Sequence, residues 1–483
     1  MTHVKGEELT IFIDDVGMDG EGIGKYEGFT VFVKDALPGE QVFVRLMKVK
    51  KSYGYGKLVK VLLPSPFRVD PPCPLARPCG GCQIQALSYQ KQLSFKMDKV
   101  RGNLSRLGGV SFEKAVLEPI LGMEDPWRYR NKTQFPVGTD KEGRPVAGLF
   151  AGRTHSIIPV KDCLLGPKVN GEILQEVLSY MRDEKVSAYE EETGKGLIRH
   201  ILVREAFETG ELLICLVVNG SSLPKEEQLC ERLQKIPGVV GVCLNENTSR
   251  TNVILGEKVR VLWGRGYVED VLCSLRFRIS PLSFYQVNHA QTERLYAKAL
   301  SYAGLTECEE VWDLYCGIGT ISLLLAQKAG HVTGVEVVEA AIADAKENAM
   351  RNGISNATFL CGKAQDVFPA EYERTGKKAD VIVVDPPRKG CDREVLSTMA
   401  AMEPKRIVYV SCDSATLGRD IAILREYGYE VEKACPVDMF PHSVHVETVC
   451  LLSNRKPDSY VHLNLKMEDY YRIKDAQKEQ DKK

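Results

Sequence analysis

The 483-residue chain has no apolar stretch approaching the roughly 20 residues that a bilayer-spanning helix needs. Its first residues, MTHVKGEELTIFIDD, hold no apolar run long enough for a signal peptide. A cytoplasmic monomer without a membrane partner is therefore expected. An excess of basic charge is also missing, since 64 Lys and Arg stand against 65 Asp and Glu. That balance removes broad electrostatic attraction to nucleic acid, so any such contact must be local. No internal repeat is visible at any useful period. Cysteine, by contrast, is plentiful at 15 residues. In a reducing compartment these are not a disulfide framework, and most read as small buried apolar side chains, such as Cys215, Cys243 and Cys450 in strand-like runs.

With 44% apolar residues the chain can fill two or three domains. Residues 8–63 carry the β-rich runs LTIFID, TVFVKD, EQVFVRLMKV and YGKLVKVLL between glycine-rich turns, which predicts a small OB-like β-barrel over 1–68. Arg45, Lys48, Lys50, Lys51, Lys57 and Lys60, interleaved with Tyr53 and Tyr55, suit phosphate contact with base stacking, or equally a solvated strand-and-loop face. A proline-rich connector over 64–74 places a boundary near Pro71, followed by helical periodicity over 88–107. Strands such as HILVREAF, ELLICLVV and GVVGVCLN alternate with helical stretches over 168–184 and 225–235, predicting an α+β middle domain within 69–285. Strands and helices then alternate at the length of βαβ units, so 286–456 should form an open, mainly parallel α/β sheet. The charged tail, 457–483, is expected to fray.

Within that last region, a strand ending in Asp313 leads into a loop with Gly317 and Gly319, and then a helix over 320–329. Glycines there let backbone approach a ligand. One unit later a second strand ends in Glu336, placed to accept hydrogen bonds from ribose hydroxyls. A third phosphate-cradling glycine is absent from Gly317-Ile-Gly319-Thr-Ile-Ser322, which favours S-adenosylmethionine over a dinucleotide. A later strand ends in Asp385-Pro386-Pro387-Arg388, and the next delivers Cys412 to the same edge. A cysteine at a strand end is ordinarily core. Glu447, however, sits in an otherwise apolar strand, where an unpaired carboxylate is costly enough to demand a role. A thiolate that adds to carbon 6 of uracil makes carbon 5 nucleophilic, and a base must then remove the carbon 5 proton. Cys412 and Glu447 suit those two tasks.

Pro281-Leu-Ser-Phe-Tyr-Gln286-Val-Asn, Asp313-Leu-Tyr-Cys-Gly-Ile-Gly, Gly334-Val-Glu336, Asp385-Pro-Pro-Arg, and Ser411-Cys412 followed by His445-Val-Glu447-Thr resemble the motifs of the RNA (uracil-5-)-methyltransferases. The resemblance extends to about Asn454. It implies a Rossmann-like methyltransferase domain over 286–456 in which Gln286, Tyr315, Glu336 and Asp385 contact S-adenosylmethionine, Cys412 is the nucleophile and Glu447 the proton acceptor. The barrel resembles the TRAM domain, an RNA-binding module. Cys73, Cys79 and Cys82 form C-x5-C-G-G-C, and the resemblance supplies Cys163 as fourth ligand. Four thiolates suit a 4Fe-4S cluster or zinc by spacing alone, and the resemblance favours the iron–sulfur 23S rRNA branch over its tRNA relatives. The spacing is not the C-x3-C-x2-C of radical chemistry, so a structural cluster is expected. One departure stands out, because Asp413-Ser414 follows the nucleophile where the family has Asn-Pro. A free carboxylate beside the thiol would raise its pKa and slow attack. The competing readings are an adenine or cytosine amino methyltransferase, which needs no Cys412, and a non-catalytic RNA-binding or redox protein retaining the fold.

Overall fold

A computed structural model describes residues 3–152 and 154–454; the tail at 457–483 lies outside the described residues. Strands Glu8–Val16, Gly22–Tyr26, Phe29–Lys34, Gln41–Val49 and Tyr53–Leu63 close into a barrel. Burial alternates along the first of them, sending Leu9, Ile11 and Ile13 inward to meet Val31, Val33, Val42, Val44 and Leu46. Gly22–Tyr26 is a strand that the sequence disguised, because GIGKY reads as part of a turn. Crowding explains its composition: a Cβ on Gly24 would sit 2.2 Å from the Phe12 carbonyl oxygen, and one on Gly22 2.7 Å from that of Ala36.

The middle region forms a seven-stranded sheet in the order Lys258–Gly264, Val239–Glu246, Leu212–Val218, Ile198–Glu205, Lys132–Thr139, Pro145–Phe150 and Ile157–Pro159. Helices Asn170–Asp183 and Glu226–Leu233 cover one face. Among the described residues the other face has no helix of its own. Leu202, Leu213, Cys215 and Cys243 instead join one cluster with Leu295, Val311 and Val383 of the C-terminal region. Covered on both faces, Leu212–Val218 is buried at every position, which is why it reads as an unbroken apolar run.

The C-terminal sheet has eight strands, ordered Ala357–Cys361, His331–Glu336, Glu310–Leu314, Val381–Val384, Arg406–Ser411, Glu447–Asn454, Tyr429–Val437 and Val116–Leu117. The first five are parallel, and Glu447–Asn454 runs antiparallel to both its neighbours. From Glu310–Leu314 the chain moves outward to His331–Glu336 on one side and later returns to Val381–Val384 on the other. This reversal opens a crevice beyond the carboxyl ends of those strands.

Two pieces from early in the chain complete this unit. Val116–Leu117 pairs with Tyr429–Val437 at the sheet edge, and helix Tyr89–Gly108 packs on helix Ser414–Glu426. The helices approach closely where glycine faces glycine: a Cβ on Gly418 would lie 3.0 Å from the Asn103 carbonyl oxygen. Among the described residues no helix is long and apolar enough to cross a membrane.

Candidate active site

The crevice is lined by acids at strand ends. Asp313 is fully buried and accepts a hydrogen bond of 2.5 Å from Ser322 Oγ on Oδ2, while its Oδ1 has no protein partner. Burial pushes this carboxyl up to about 7; Ser322 opposes the rise and Asp385 adds to it. In the loop that follows, Tyr315, Gly317 and Gly319 have φ of +66°, +55° and +82°. A Cβ on Gly319 would lie 3.1 Å from Phe359, whereas one on Gly317 would meet nothing within 4 Å. The first glycine of the pair therefore borders open space, and the second seats the helix against its neighbours. Glu336 is already anchored: its carboxylate accepts from the amides of Gly317 at 3.3 Å, Val337 at 2.8 Å and Val338 at 3.0 Å.

Asp385 lies across the crevice, accepting from the buried Gln286 amide at 3.4 Å. Burial raises its carboxyl to about 7, with the Gln286 amide pulling the other way. Arg406–Ser411 and Glu447–Asn454 are antiparallel with Ser411 opposite Thr448, and continuing that register by one residue sets Cys412 opposite Glu447. Glu447 is 3% exposed and its Oε2 has no protein partner. Its carboxyl is driven well above the usual range by burial and then by Asp385, with Arg388 opposing. The Cys412 thiol is raised to about 12, by burial first and then by Glu447 and Asp385, with Arg388 opposing. The four residues thus share one electrostatic neighbourhood, with the exposed Arg388 as its cation.

Asp413 contributes least to that rise. Its carboxylate caps helix Ser414–Glu426, accepting from the amides of Ala415 at 2.8 Å and Thr416 at 3.2 Å. Asn and Asp are interchangeable as N-caps, and Ser at the first helical position replaces a proline that would have had no amide to satisfy. The expected penalty on the thiol from a free carboxylate is accordingly blunted by pairing.

Away from the crevice, Cys73, Cys79, Cys82 and Cys163 line one cavity of about 310 Å³, together with Arg130 and Lys132. The Cys82 thiol is raised to about 12, first by burial and then by Cys163 and Cys79. Among the described residues no three His, Cys, Asp or Glu are grouped to hold a single metal ion. On the barrel, Tyr53 and Tyr55 are joined by Phe32, which the sequence pattern did not single out; its ring centroid lies 5.8 Å and 5.6 Å from theirs. Register explains the trio, since Phe32 pairs with Tyr55 between parallel strands, with Lys34 and Lys57 one pair further along the same face. Arg45 pairs with Glu8 at 2.6 Å on the barrel surface.

A mainly parallel sheet with acids ending adjacent strands at its reversal point, carrying a loop of left-handed residues, defines a Rossmann-like S-adenosylmethionine-dependent methyltransferase. The tRNA (uracil-5-)-methyltransferase family matches residues 252–455, and the TRAM domain matches residues 4–59. An uncharacterized RNA methyltransferase of Clostridium tetani is 47% identical over 450 residues, spanning 93% of this chain and 97% of its own. One from Halalkalibacterium halodurans is 46% identical over 449 residues with the same coverage. The solved structure of Pyrococcus abyssi tRNA (uracil-54, C5)-methyltransferase with S-adenosyl-L-homocysteine superposes with a TM-score of 0.73 at 27% identity, covering 92% of this chain and 99% of that one. The chain belongs to the RNA (uracil-5-)-methyltransferase family and is an S-adenosylmethionine-dependent enzyme.

Two outcomes follow from the geometry. Asp413→Ala removes a helix cap and should lower unfolding free energy by about 1 kcal/mol in urea titrations, whereas Asp413→Asn should stay within about 0.5 kcal/mol. Asp385 titrates higher in the folded chain, near 7, than the roughly 3.9 of an unfolded aspartate. Between those values the folded state binds more protons than the unfolded state, so this carboxyl's contribution falls as pH rises and levels off above about 7. Asp385→Asn should therefore gain melting temperature relative to the parent between pH 4 and pH 7; a constant difference across that range would refute the buried-acid assignment.

Proposed function

We propose that the enzyme methylates carbon 5 of a specific uridine in RNA, most suitably 23S rRNA, through a covalent adduct with Cys412. The observation that carries this reading is the cross-strand placement of Cys412 and Glu447 at the edge where Asp385 and the cofactor loop also end. Cys412 thiolate bonds to carbon 6, and the electron pair of the 5,6 double bond becomes an enolate. Carbon 5 then takes the methyl group as its bond to the sulfonium sulfur breaks, and that sulfur keeps the bonding pair. Glu447 removes the carbon 5 proton, the double bond re-forms, and Cys412 leaves as thiolate. Burial that raises Glu447 also makes its ionised form a stronger base. Gln286, Tyr315, Glu336 and Asp385 are assigned to S-adenosylmethionine. The open space at Gly317 and the anchored carboxylate of Glu336 beside it fit a nucleoside.

The four cysteines fit a metal centre by donor chemistry. Burial first, and then the neighbouring cysteines, make Cys79 and Cys82 resist ionisation; ligation to a cation reverses that cost while Arg130 and Lys132 offset the remaining negative charge. Zinc gathers four sulfurs at about 2.3 Å from one point, whereas a 4Fe-4S cluster spreads them around a larger volume. The four cysteines line one cavity of about 310 Å³, and the resemblance to the iron–sulfur branch is what favours the cluster over zinc. It would tie the segment after the barrel to the middle sheet and supply no step of the methyl transfer.

The ribosomal target rests on resemblance to the branch that combines TRAM barrel and cysteine set. A tRNA target is the second reading, favoured by the end-to-end likeness to the Pyrococcus abyssi enzyme. Mapping 5-methyluridine in separated rRNA and tRNA from cells with and without the gene distinguishes them, and loss from neither fraction overturns both. With purified protein and S-adenosylmethionine, Cys412→Ala should lower product formation at least 1000-fold, on the scale of losing a nucleophile; an active variant would instead mark an amino methyltransferase. Anaerobically purified protein should contain about four iron and four sulfide per chain, absent in Cys82→Ala, and stoichiometric zinc would replace that assignment.

A further inference from the structure

Glu447 enters its strand from the connection that begins at Asp438, and this connection is held along its length by one helix. Tyr89 Oη donates to Asp438 Oδ2 at 2.8 Å. Lys96 Nζ pairs with Asp438, both side chains being fully buried, and donates to the Phe440 carbonyl oxygen at 2.9 Å. The Gln92 carbonyl oxygen accepts from the His442 amide at 3.0 Å, and its amide nitrogen meets His442 Nδ1 at 3.2 Å. Lys99 Nζ donates to the Val444 carbonyl oxygen at 3.0 Å. Outside the helix, Trp127 stacks on the His442 ring at 3.8 Å, and the Ile84 amide donates to the His442 carbonyl oxygen at 3.1 Å.

His442 has φ of +67°, a left-handed conformation that an L-residue keeps only when its surroundings impose it. The Lys96–Asp438 pair points the same way. A buried ion pair adds little stability over apolar residues of the same shape, and its best-attested use is to fix one arrangement among several. The far end of the same helix reaches the other reacting group. Asn103 Nδ2 donates to Ser414 Oγ at 2.9 Å, two residues from Cys412, and Gly108 meets Gly418 at backbone distance. One rigid element therefore touches the approach to Glu447 and the exit from Cys412.

We propose that helix Tyr89–Gly108 is a strut that fixes the spacing of Cys412 and Glu447, with Gln92 and Lys96 as positioning residues for proton removal from carbon 5. This rests on the roles proposed above for Cys412 and Glu447. If the strut sets only the approach of Glu447, weakening it slows the last step while leaving addition and methyl transfer in place. The intermediate, cysteine bonded to a uracil already carrying the new methyl group, then accumulates.

The test uses the full-length enzyme, methyl-tritiated S-adenosylmethionine, and total RNA from cells lacking the gene. Gln92→Leu removes both bonds to His442 without removing a charge and is the deciding variant; Lys96→Met, whose far-UV circular dichroism is checked first, is the second. Gln92→Leu should lower kcat about tenfold or more, as expected for a misplaced catalytic group. Its KM for S-adenosylmethionine should stay within about twofold, since only the proton-removal geometry is disturbed. A tritium-labelled protein–RNA band should persist on a denaturing gel, as it should for Glu447→Gln. Turnover within twofold of the parent, or lost turnover without the labelled band, overturns the strut. Cys412→Ala separates the two levels. If that variant still methylates, the covalent reading itself fails. If it is inert and Glu447→Gln traps the band while Gln92→Leu behaves as the parent, only the positioning role fails.

Discussion

One reversal of strand direction organises the reacting edge. Parallel strands present their last residues at the carboxyl edge, and so Asp313 and Glu336 lie in the closing residues of their strands there, while Asp385 and Cys412 directly follow theirs. Glu447–Asn454 is threaded antiparallel between Arg406–Ser411 and Tyr429–Val437, and it therefore presents its first residue at that edge. Hydrogen-bond register then opposes Cys412 and Glu447 without any loop having to close over them. A parallel strand in that place would have put Glu447 at the opposite edge, one sheet thickness of strand length away. The long connection from Asp438 is the corollary, because the chain must turn back before entering the strand.

Much of this edge was legible in the sequence because its residues sit at places where local pattern changes abruptly. Asp313, Glu336, Asp385 and Cys412 end apolar runs, and Glu447 interrupts one; a charged or reactive residue at such a position stands out against period and hydrophobicity. The barrel was legible as alternating strands, except for Gly22–Tyr26, where close approach of Phe12 and Ala36 selects glycine and so imitates a turn. Docking was not legible. Helix Tyr89–Gly108 shows its periodicity but not its partner, and Val116–Leu117 is too short to announce that it pairs with Tyr429–Val437. Both lie far in sequence from the sheet they complete, and pattern within a window carries no information about contacts of that separation. Lys96 was invisible for the same reason, since a lysine on a helix reads as solvent-facing until Asp438 is placed beside it.

The Asp413-Ser414 pair shows how a departure from a motif can be neutral in physical terms. What the position after the thiol requires is an acceptor for the first amides of a helix, and what the next requires is tolerance of the first helical turn. Asn-Pro and Asp-Ser meet both requirements by different chemistry. The added negative charge is held against the positive end of the helix, and its contribution to the rise at Cys412 is smaller than those of burial, Glu447 and Asp385. Ser414 also accepts from Asn103, a contact that proline has no hydroxyl to make, and so ties this turn to helix Tyr89–Gly108.

The charges at the edge impose an order on the proposed reaction. Cys412 must lose a proton to attack and Glu447 must be ionised to accept one, yet each negative charge opposes the other, and Asp385 opposes both. Two such groups cannot both be anionic in the resting site without a large penalty, with Arg388 the cation opposing the rise at both Cys412 and Glu447. Attack on carbon 6 removes the conflict, because Cys412 becomes a neutral thioether and its charge passes to the ring, where the incoming methyl cation equivalent cancels it. Only then does the edge carry one fewer negative charge than a thiolate would give it, which lowers the cost of ionising Glu447. The same coupling that holds the Cys412 thiol above its usual range thus makes Glu447 a competent base after addition rather than before it.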